Sequence, residues 1–321
     1  MKLPVLALSL TLLAPVSALA EVPPAHAQLQ AMSQANLSLE YSGRFLYQFG
    51  AEVSTMEVSH AIFDGKQYQR LTHLDGRLVE VLRRGDEVIC VHSDRSLTRL
   101  QKDQGGPMAL AQRLAEDVPD QYNILVDGDG RVAGRTATRL RVAPLDTHRY
   151  GYRLWLDHDS HLLLKSEVVD GSGVALERVE FVSLDLSPGL TVADFDLPDA
   201  VRESELQPVS RDQVPNSMQV DTDWLPAGFE AADPDWRSGD GKRLPVAAQG
   251  YSDGLAAFTV FVETVGQGDI EEGVSRVGPT VAVSRLLKAP AGSYLITLVG
   301  EVPQSTAERV IQGVSVRDAG H

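Results

Sequence analysis

Period-two alternation of apolar and polar residues dominates the chain from residue 41 to residue 184. In the first run, Tyr41, Gly43, Phe45, Tyr47 and Phe49 alternate with more polar side chains, which places four aromatic rings on one face of a strand. Further strand-like runs follow at residues 53–63, 67–73, 78–83 and 87–92, separated by the turn signals Asp64-Gly65, Asp75-Gly76 and Gly85-Asp86. This pattern predicts an antiparallel meander.

Two helices and a second set of strands complete this half of the chain. Residues 25–36 predict a helix with Leu29 and Met32 facing inward, and residues 107–117 predict another that opens at a proline. Strand-like runs are found at residues 122–126, 136–142, 150–156, 162–169 and 174–184, with a turn predicted at Asp127-Gly128-Asp129-Gly130. Within two of these runs, the aligned apolar residues are Tyr150, Tyr152, Leu154 and Leu156, and then Leu162, Leu164 and Val168.

So many consecutive strands with few helices predict a mostly β, α+β protein, whose larger N-terminal part is a curved antiparallel sheet or open half-barrel over helices. The apolar stripes on this sheet have two interpretations. They are either ordinary core or the lining of an apolar cavity that takes acyl chains. The candidate cavity residues are Tyr41, Phe45, Tyr47, Phe49, Tyr150, Tyr152, Leu154, Leu156, Leu162 and Leu164.

A polar, proline-containing stretch at residues 201–222 has no sustained periodicity and is predicted to be a linker. Residues 223–321 then predict a smaller α+β domain. It contains strands at 281–287 and 294–302 around a Pro290-Ala291-Gly292-Ser293 turn. A helix should follow, with Ser305 and Glu308 as a capping box and an apolar stripe formed by Ala307, Val310, Ile311 and Val314.

The N-terminus has the three-part form of a secretory signal peptide. Lys2 precedes an apolar run to Leu13, and the small-residue site Ala18-Leu19-Ala20 follows. Cleavage is expected after Ala20, which divides the chain into a signal peptide at 1–20 and an N-terminal domain at 21–200. The mature protein is expected to be exported.

The charge balance restricts the partners of the exported protein. The chain has 29 Lys and Arg against 44 Asp and Glu, a net charge of −15. Such a surface repels nucleic-acid phosphates and anionic headgroups and attracts a basic partner segment. The single cysteine, Cys90, lies in an apolar strand-like run and is interpreted as a buried thiol with no internal disulfide partner.

Two groups could in principle bind metal. Asp157, His158, Asp159 and His161 form the densest set of possible ligands, but they lie between two strand-like runs and are read as a turn. The acidic Asp127-to-Gly130 segment lacks the remaining ligands of a calcium loop. No nucleophile elbow, zinc-protease, P-loop or dinucleotide motif occurs in a suitable context, so the sequence predicts neither an enzyme nor a cofactor.

Three segments of the C-terminal part carry a family resemblance. They are WLPAGFE at 224–230, YSDGLAAFTVFVE at 251–263, and VGPTVAVSRLLKAPAGSYLITLVGEVPQSTAERVIQGV at 277–314. Together they resemble the C-terminal domain of the RseB/MucB family, periplasmic regulators of extracytoplasmic sigma factors. The strand layout before them resembles the LolA/LolB-like fold, which is the N-terminal fold of that family.

The resemblance implies a periplasmic negative regulator without a cofactor. It would bind the periplasmic domain of a membrane anti-sigma factor, protect it from regulated proteolysis, and be released by lipid or lipopolysaccharide. It would not bind nucleic acid, and it could form homo-oligomers. Tyr251, Phe258 and Phe261 are candidate partner-binding residues, although the two phenylalanines could equally be core on opposite faces of a sheet. Two alternatives stay open: a LolA-type lipid or lipoprotein carrier, and a metal hydrolase built on residues 157–161.

Overall fold

The computed structural model describes residues 24–76, 79–100, 110, 113–114, 118–197, 202–203, 218–232, 235–237, 246–265, 272–289 and 292–318. The predicted signal peptide and most of the predicted helix at 107–117 lie outside these ranges, and Leu110, Arg113 and Leu114 of that helix are helical. Among the described residues, no helix is long and apolar enough to cross a membrane.

Besides the helical residues Leu110, Arg113 and Leu114, the N-terminal part contains the α-helix α1 (Ala25–Ser38), a 3-10 turn at Val192–Phe195 and twelve strands in the described ranges. The strands are β1 (Tyr41–Phe49), β2 (Glu52–Phe63), β3 (Lys66–His73), β4 (Glu80–Arg84), β5 (Glu87–Val91), β6 (Ser96–Leu100), β7 (Tyr122–Val132), β8 (Arg135–Pro144), β9 (Gly151–Asp157), β10 (Leu163–Val169), β11 (Ala175–Asp185) and β12 (Arg202–Glu203).

These strands form one sheet in the order β12-β6-β5-β4-β3-β2-β1-β11-β10-β9-β8-β7. All neighbours pair antiparallel except β12, which runs parallel to β6. The pairing of β1 with β11 joins two meanders into this one sheet. The first meander contains β1–β6, and the second contains β7–β11. The predicted mostly β fold with few helices is therefore confirmed.

The register puts both predicted apolar stripes on the same face of this sheet. Tyr47 pairs with Val179, Val179 with Ser166, and Ser166 with Leu154. Directly paired residues point the same way, so the β1 stripe shares a face with Tyr150, Tyr152, Leu154 and Leu156. We call these four residues the β9 stripe. Leu29 and Met32 of α1 pack against the β9 stripe. We call this the inner face.

The C-terminal part is the predicted smaller α+β unit. It consists of β13 (Met218–Thr222), β14 (Glu230–Ala231), β15 (Asp235–Arg237), β16 (Val246–Ser252), β17 (Ala257–Thr264), β18 (Gly273–Val277), β19 (Thr280–Ala289), β20 (Gly292–Gly300), α2 (Gln304–Gln312) and β21 (Val314–Asp318). Its main sheet runs β14-β16-β17-β20-β19-β18, with β15 also paired to β16. Strand β13, which falls within the predicted linker, pairs with β21.

Helix α2 packs its apolar stripe on the C-terminal sheet, as predicted, but its start differs from the prediction. The N-cap is Pro303, and no side chain caps the helix. Ser305 is already inside the helix, so the predicted capping box is wrong. Glu308 instead accepts a hydrogen bond from the side chain of Gln304 at 2.7 Å. The stripe is also interrupted, because Val314 belongs to β21.

The predicted turn at Asp127 to Gly130 is also wrong. Strand β7 continues through it, with a register shift against β8 between Val126 and Asp129. The guanidinium group of Arg139 donates to the backbone carbonyl of Asp127, which stabilises the irregular strand. Acidic and glycine residues here form a bulge, and the chain reverses at Ala133 and Gly134, where φ is positive.

Candidate functional site: the inner face and the domain interface

The inner face is filled by two adjoining apolar clusters. The larger cluster contains the four residues of the β9 stripe, together with α1, Leu110 and Leu114. The second contains Tyr41, Phe45 and Leu162, packed against Phe181 and Met56. Of the ten candidate cavity residues, Tyr47 and Phe49 are half-buried, and the other eight are at most 4% exposed.

Leu164 does not belong to either of these clusters. A register shift between Leu163 and Lys165 makes Leu163, rather than Leu164, the partner of Leu156. Leu164 packs instead in a separate group with Val132 and Ala137. The predicted alignment of Leu162, Leu164 and Val168 is therefore wrong, because period-two counting fails across a bulge.

One side chain of the C-terminal part enters the larger cluster. Leu255 is 1% exposed and packs with the β9 stripe of the N-terminal sheet. It lies on residues 252–256, which we call the 252–256 loop. Asp253 shapes this loop, since its Oδ1 accepts hydrogen bonds from the backbone N–H groups of Leu255 at 2.9 Å and Ala256 at 2.7 Å. These hydrogen bonds therefore hold the loop in a shape that places Leu255 in the N-terminal core.

A buried ion pair fixes the 252–256 loop to the N-terminal part. The side chains of Arg149 and Asp253 are both fully buried, and Arg149 Nη1 donates to Asp253 Oδ2. Arg149 also makes a bidentate contact with Asp146, at 3.1 and 2.9 Å. Its Nη2 donates to the carbonyl oxygen of Ala227 at 2.6 Å. Arg149 thus binds two segments of the C-terminal part, at Asp253 and Ala227, while Asp146 orients its guanidinium group.

Aromatic side chains surround the Arg149 guanidinium group and exclude water from it. Its central carbon lies 5.6 Å from the ring centroid of Tyr122 and 5.3 Å from that of Phe229. Burial alone would lower the pKa of Arg149, but the bond to Asp146 and the charge of Asp253 hold that pKa above its ordinary value. Arg149 is therefore a permanent cation at this interface.

Further contacts extend the interface on both sides of Arg149. Tyr150 donates its hydroxyl hydrogen to the carbonyl oxygen of Val302 at 3.0 Å in a buried bond. The ring of His148 lies edge-on to Trp224, with centroids 5.0 Å apart. At the other end, the turn at Gly50 meets the turn at Gly278 so closely that a Cβ on Gly50 would lie 2.9 Å from the Gly278 nitrogen. Both glycines have positive φ.

An acidic pair spans the same interface. Burial and the nearby charge of Glu301 raise the pKa of Glu177 from 4.5 to about 7, although a hydrogen bond with Tyr47 opposes this shift. Glu301 itself forms an ion pair with Arg113 at 3.7 Å. One carboxyl group at this point therefore changes its charge near neutral pH.

The three candidate partner-binding residues lie on two sides of the C-terminal sheet. Tyr251 and Phe258 are 5% and 2% exposed and stack with ring centroids 5.1 Å apart in the core under α2. Phe261 is half-buried and points to the opposite face of β17. Of the three, Phe261 is the residue that offers surface to another molecule.

The possible metal ligands at residues 157–161 form a turn, as predicted. Both carboxylate oxygens of Asp157 accept hydrogen bonds from Arg135, at 2.7 and 2.9 Å, and Ser160 donates to Oδ2 as well. Within the described ranges, no three His, Cys, Asp or Glu side chains are grouped so as to hold a metal ion. Cys90 is half-buried, and burial raises the pKa of its thiol, which disfavours the reactive thiolate.

The fold and these contacts define a class: a mostly β protein of two parts, in which a loop of the smaller part packs into the apolar inner face of the larger part. Two family models match nearly the whole chain. The MucB/RseB N-terminal domain matches residues 24–218, and the MucB/RseB C-terminal domain matches residues 215–315. The chain belongs to the MucB/RseB family.

Two curated relatives extend this finding. The chain is 34% identical over 291 residues to the sigma factor AlgU regulatory protein MucB of Pseudomonas aeruginosa, with 88% of each chain covered. It is 30% identical over 318 residues to the sigma-E factor regulatory protein RseB of Haemophilus influenzae, with 97% of each covered. Both relatives are regulatory proteins, in agreement with the prediction that the chain is not an enzyme.

Solved structures of MucB share the whole architecture. The Pseudomonas aeruginosa MucA/MucB complex aligns with a TM-score of 0.73 at 31% identity, covering 92% of this chain and 99% of that one. MucB in complex with MucA(peri) aligns with the same score and identity, covering 93% and 100%. A further crystal structure of MucB aligns at 30% identity with a TM-score of 0.58, covering 90% and 97%.

Sequence reasoning missed the residues that join the domains. No sequence motif marks Arg149, which is 3% exposed. Asp253 and Leu255 lay inside a family motif without an assigned role. A weak signal was present, because Ser-Asp-Gly-Leu combines a turn sequence with a lone large apolar residue at its tip.

Proposed function

We propose that this protein is a periplasmic negative regulator of sigma-factor activity. It binds the periplasmic domain of a transmembrane anti-sigma factor and protects it from regulated proteolysis. The observation that carries the proposal is the full-length similarity to MucB, whose solved complexes contain MucA or MucA(peri). The net charge of −15 suits a basic partner segment.

The partner surface that we propose is the face of the C-terminal sheet opposite α2. Phe261 lies on this face, and Tyr251 and Phe258 support it from the core side. Replacement of Phe261 by alanine should weaken partner binding with little loss of stability, because the side chain is only half-buried. Replacement of Phe258 by alanine should destabilise the domain by about 3–5 kcal/mol, because it empties a fully packed site.

The release signal that we propose is a lipid or lipopolysaccharide whose acyl chain enters the inner face of the N-terminal sheet. Burial of each methylene contributes about 0.8 kcal/mol, so a short chain already gives useful affinity. The inner face is covered here by α1, Leu110, Leu114 and Leu255. An acyl chain must therefore favour a different arrangement, and it releases the partner only if it binds that arrangement more tightly.

Protease protection tests the regulatory proposal. The purified periplasmic domain of the anti-sigma factor is exposed to the regulatory protease alone, with this protein, and with this protein plus lipopolysaccharide. We expect cleavage to slow when the protein is added and to recover with lipopolysaccharide. Equal cleavage in all three reactions would contradict the proposal, and transfer of a lipoprotein between membranes by the purified protein would favour the LolA-type carrier instead.

A further inference from the structure

We propose that the 252–256 loop is a retractable plug in the inner face of the N-terminal sheet, and that the Arg149–Asp253 ion pair is its latch. This inference concerns how the two domains hold each other, and it stands whether or not an acyl ligand is identified.

The plug is built from one apolar contact on a pre-shaped loop. Leu255 is 1% exposed among residues of the N-terminal core, and within the loop it supplies the apolar contact to that core. The two hydrogen bonds from backbone N–H groups to Asp253 Oδ1 lie within the loop. Because they do not depend on the N-terminal part, the loop keeps its shape when it withdraws.

The latch is electrostatic and lies directly beside the plug. Asp253 uses Oδ1 to shape the loop and Oδ2 to bind Arg149 and, at 3.4 Å, the hydroxyl group of Tyr122. The two oxygens of one carboxylate therefore connect loop shape to domain contact. A fully buried pair is costly to break when one charge is left behind without its partner.

Space for withdrawal is present next to the loop. A groove of about 510 Å³ is lined by the loop residues Ser252, Asp253 and Gly254 and by Pro119 and Gln121 of the N-terminal part. Gly254 has a φ of +98°, a conformation that suits glycine and lets the loop turn sharply here. The loop thus borders open space on one side, although Gly254 lies against the ring of Pro119 there.

Thiol labelling of the full mature chain tests the plug. In a Cys90→Ala background, Leu255→Cys introduces the only thiol, and its rate of reaction with an aromatic disulfide reagent reports exposure of the loop. Adding Arg149→Met should raise this rate more than about ten-fold, because the latch is broken. Arg153→Met, which removes an arginine from an ion pair within the N-terminal sheet, should leave the rate unchanged.

A second thiol position separates plug opening from unfolding. Val260 is fully buried in the C-terminal core, so Val260→Cys labels only when that core opens. If Arg149→Met leaves Leu255→Cys labelling unchanged, or accelerates both positions equally, the proposal is overturned. Asp253→Asn provides an independent latch variant if Arg149→Met folds poorly, since its side-chain oxygen still accepts the loop N–H groups.

Uptake of the apolar fluorophore N-phenyl-1-naphthylamine distinguishes the plug from the proposed lipid signal. We expect the Arg149→Met variant to bind this probe several-fold more tightly than the parent chain. Faster labelling without stronger probe binding would support the latch while contradicting the acyl-chain part of the proposed function.

Discussion

Two clusters of charged side chains that involve the N-terminal part differ in what they hold together. Around Glu167, the cations Arg153, Lys165 and Arg178 approach to 2.8–3.3 Å, and they are 37%, 14% and 38% exposed. They join neighbouring strands that backbone hydrogen bonds already connect.

The Arg149–Asp253 pair is fully buried, and it joins residues more than a hundred positions apart in the chain. Similar ion pairs therefore have different consequences. The Glu167 cluster adds contacts within one sheet, whereas the Arg149 cluster fixes the arrangement of two domains.

The largest effect should come from breaking the buried cluster. Arg149→Met should lower the free energy of unfolding by about 3–5 kcal/mol, because Asp146 and Asp253 lose their shared cation. Chemical denaturation followed by circular dichroism measures this change. A loss below about 1 kcal/mol would place Arg149 in the same category as a surface arginine.

Removing the acceptor of the Glu167 cluster should have an intermediate effect. Glu167 is 4% exposed, and Glu167→Gln leaves three neighbouring cations with one neutral acceptor. We expect a loss of about 1–2 kcal/mol in the same denaturation experiment, because the three cations retain water or other partners. An effect equal to that of Arg149→Met would show that burial, rather than the joining of domains, determines the cost.

The pH dependence of domain docking should follow Glu177. Its pKa is raised to about 7 in the folded protein from 4.5, so the folded state holds the proton more strongly. The contribution of protonated Glu177 to the free energy of unfolding is therefore complete below about pH 4.5 and is lost as the pH rises through about 7. Thermal unfolding of the parent chain and of Glu177→Gln between pH 5 and 8 should show a decline that the variant lacks. A parallel decline in both chains would assign it to other groups.

The smallest effect should come from a half-exposed arginine of the Glu167 cluster. Arg153→Met should cost less than about 1 kcal/mol, and the cost should shrink further in high salt, because exposed charges are screened. The Arg149→Met cost should be nearly independent of salt. Repeating the denaturation at about 0.05 and 1 M salt compares the two variants directly, and equal salt dependence would remove the distinction between the clusters.

The sequence predicted the elements better than the contacts between them. Period-two alternation placed the β1 and β9 stripes on the right face, because each strand is uninterrupted there. It failed at Leu164, where one extra residue shifts the register. At Asp127 the turn signal was misleading instead, because the acidic and glycine residues there form a bulge within a continuous strand. The loop-to-core contact of Leu255 depends on how two domains meet, which no local periodicity encodes.

The partner-binding residues illustrate the same limit. The aromatic run around Phe258 and Phe261 left surface and core equally open, and burial now separates the two side chains. The role of Arg149 could not be predicted for a different reason: its partners Asp253 and Ala227 come from the other domain.

The most direct test of the account is a calorimetric titration of the mature chain with the purified periplasmic domain of the anti-sigma factor from the same organism. The account predicts saturable binding by the parent chain, unchanged affinity for Arg153→Met, and affinity reduced at least about ten-fold for Arg149→Met, whose domains lose their docked arrangement. Absence of binding by the parent chain, or equal affinity for all three proteins, would contradict it.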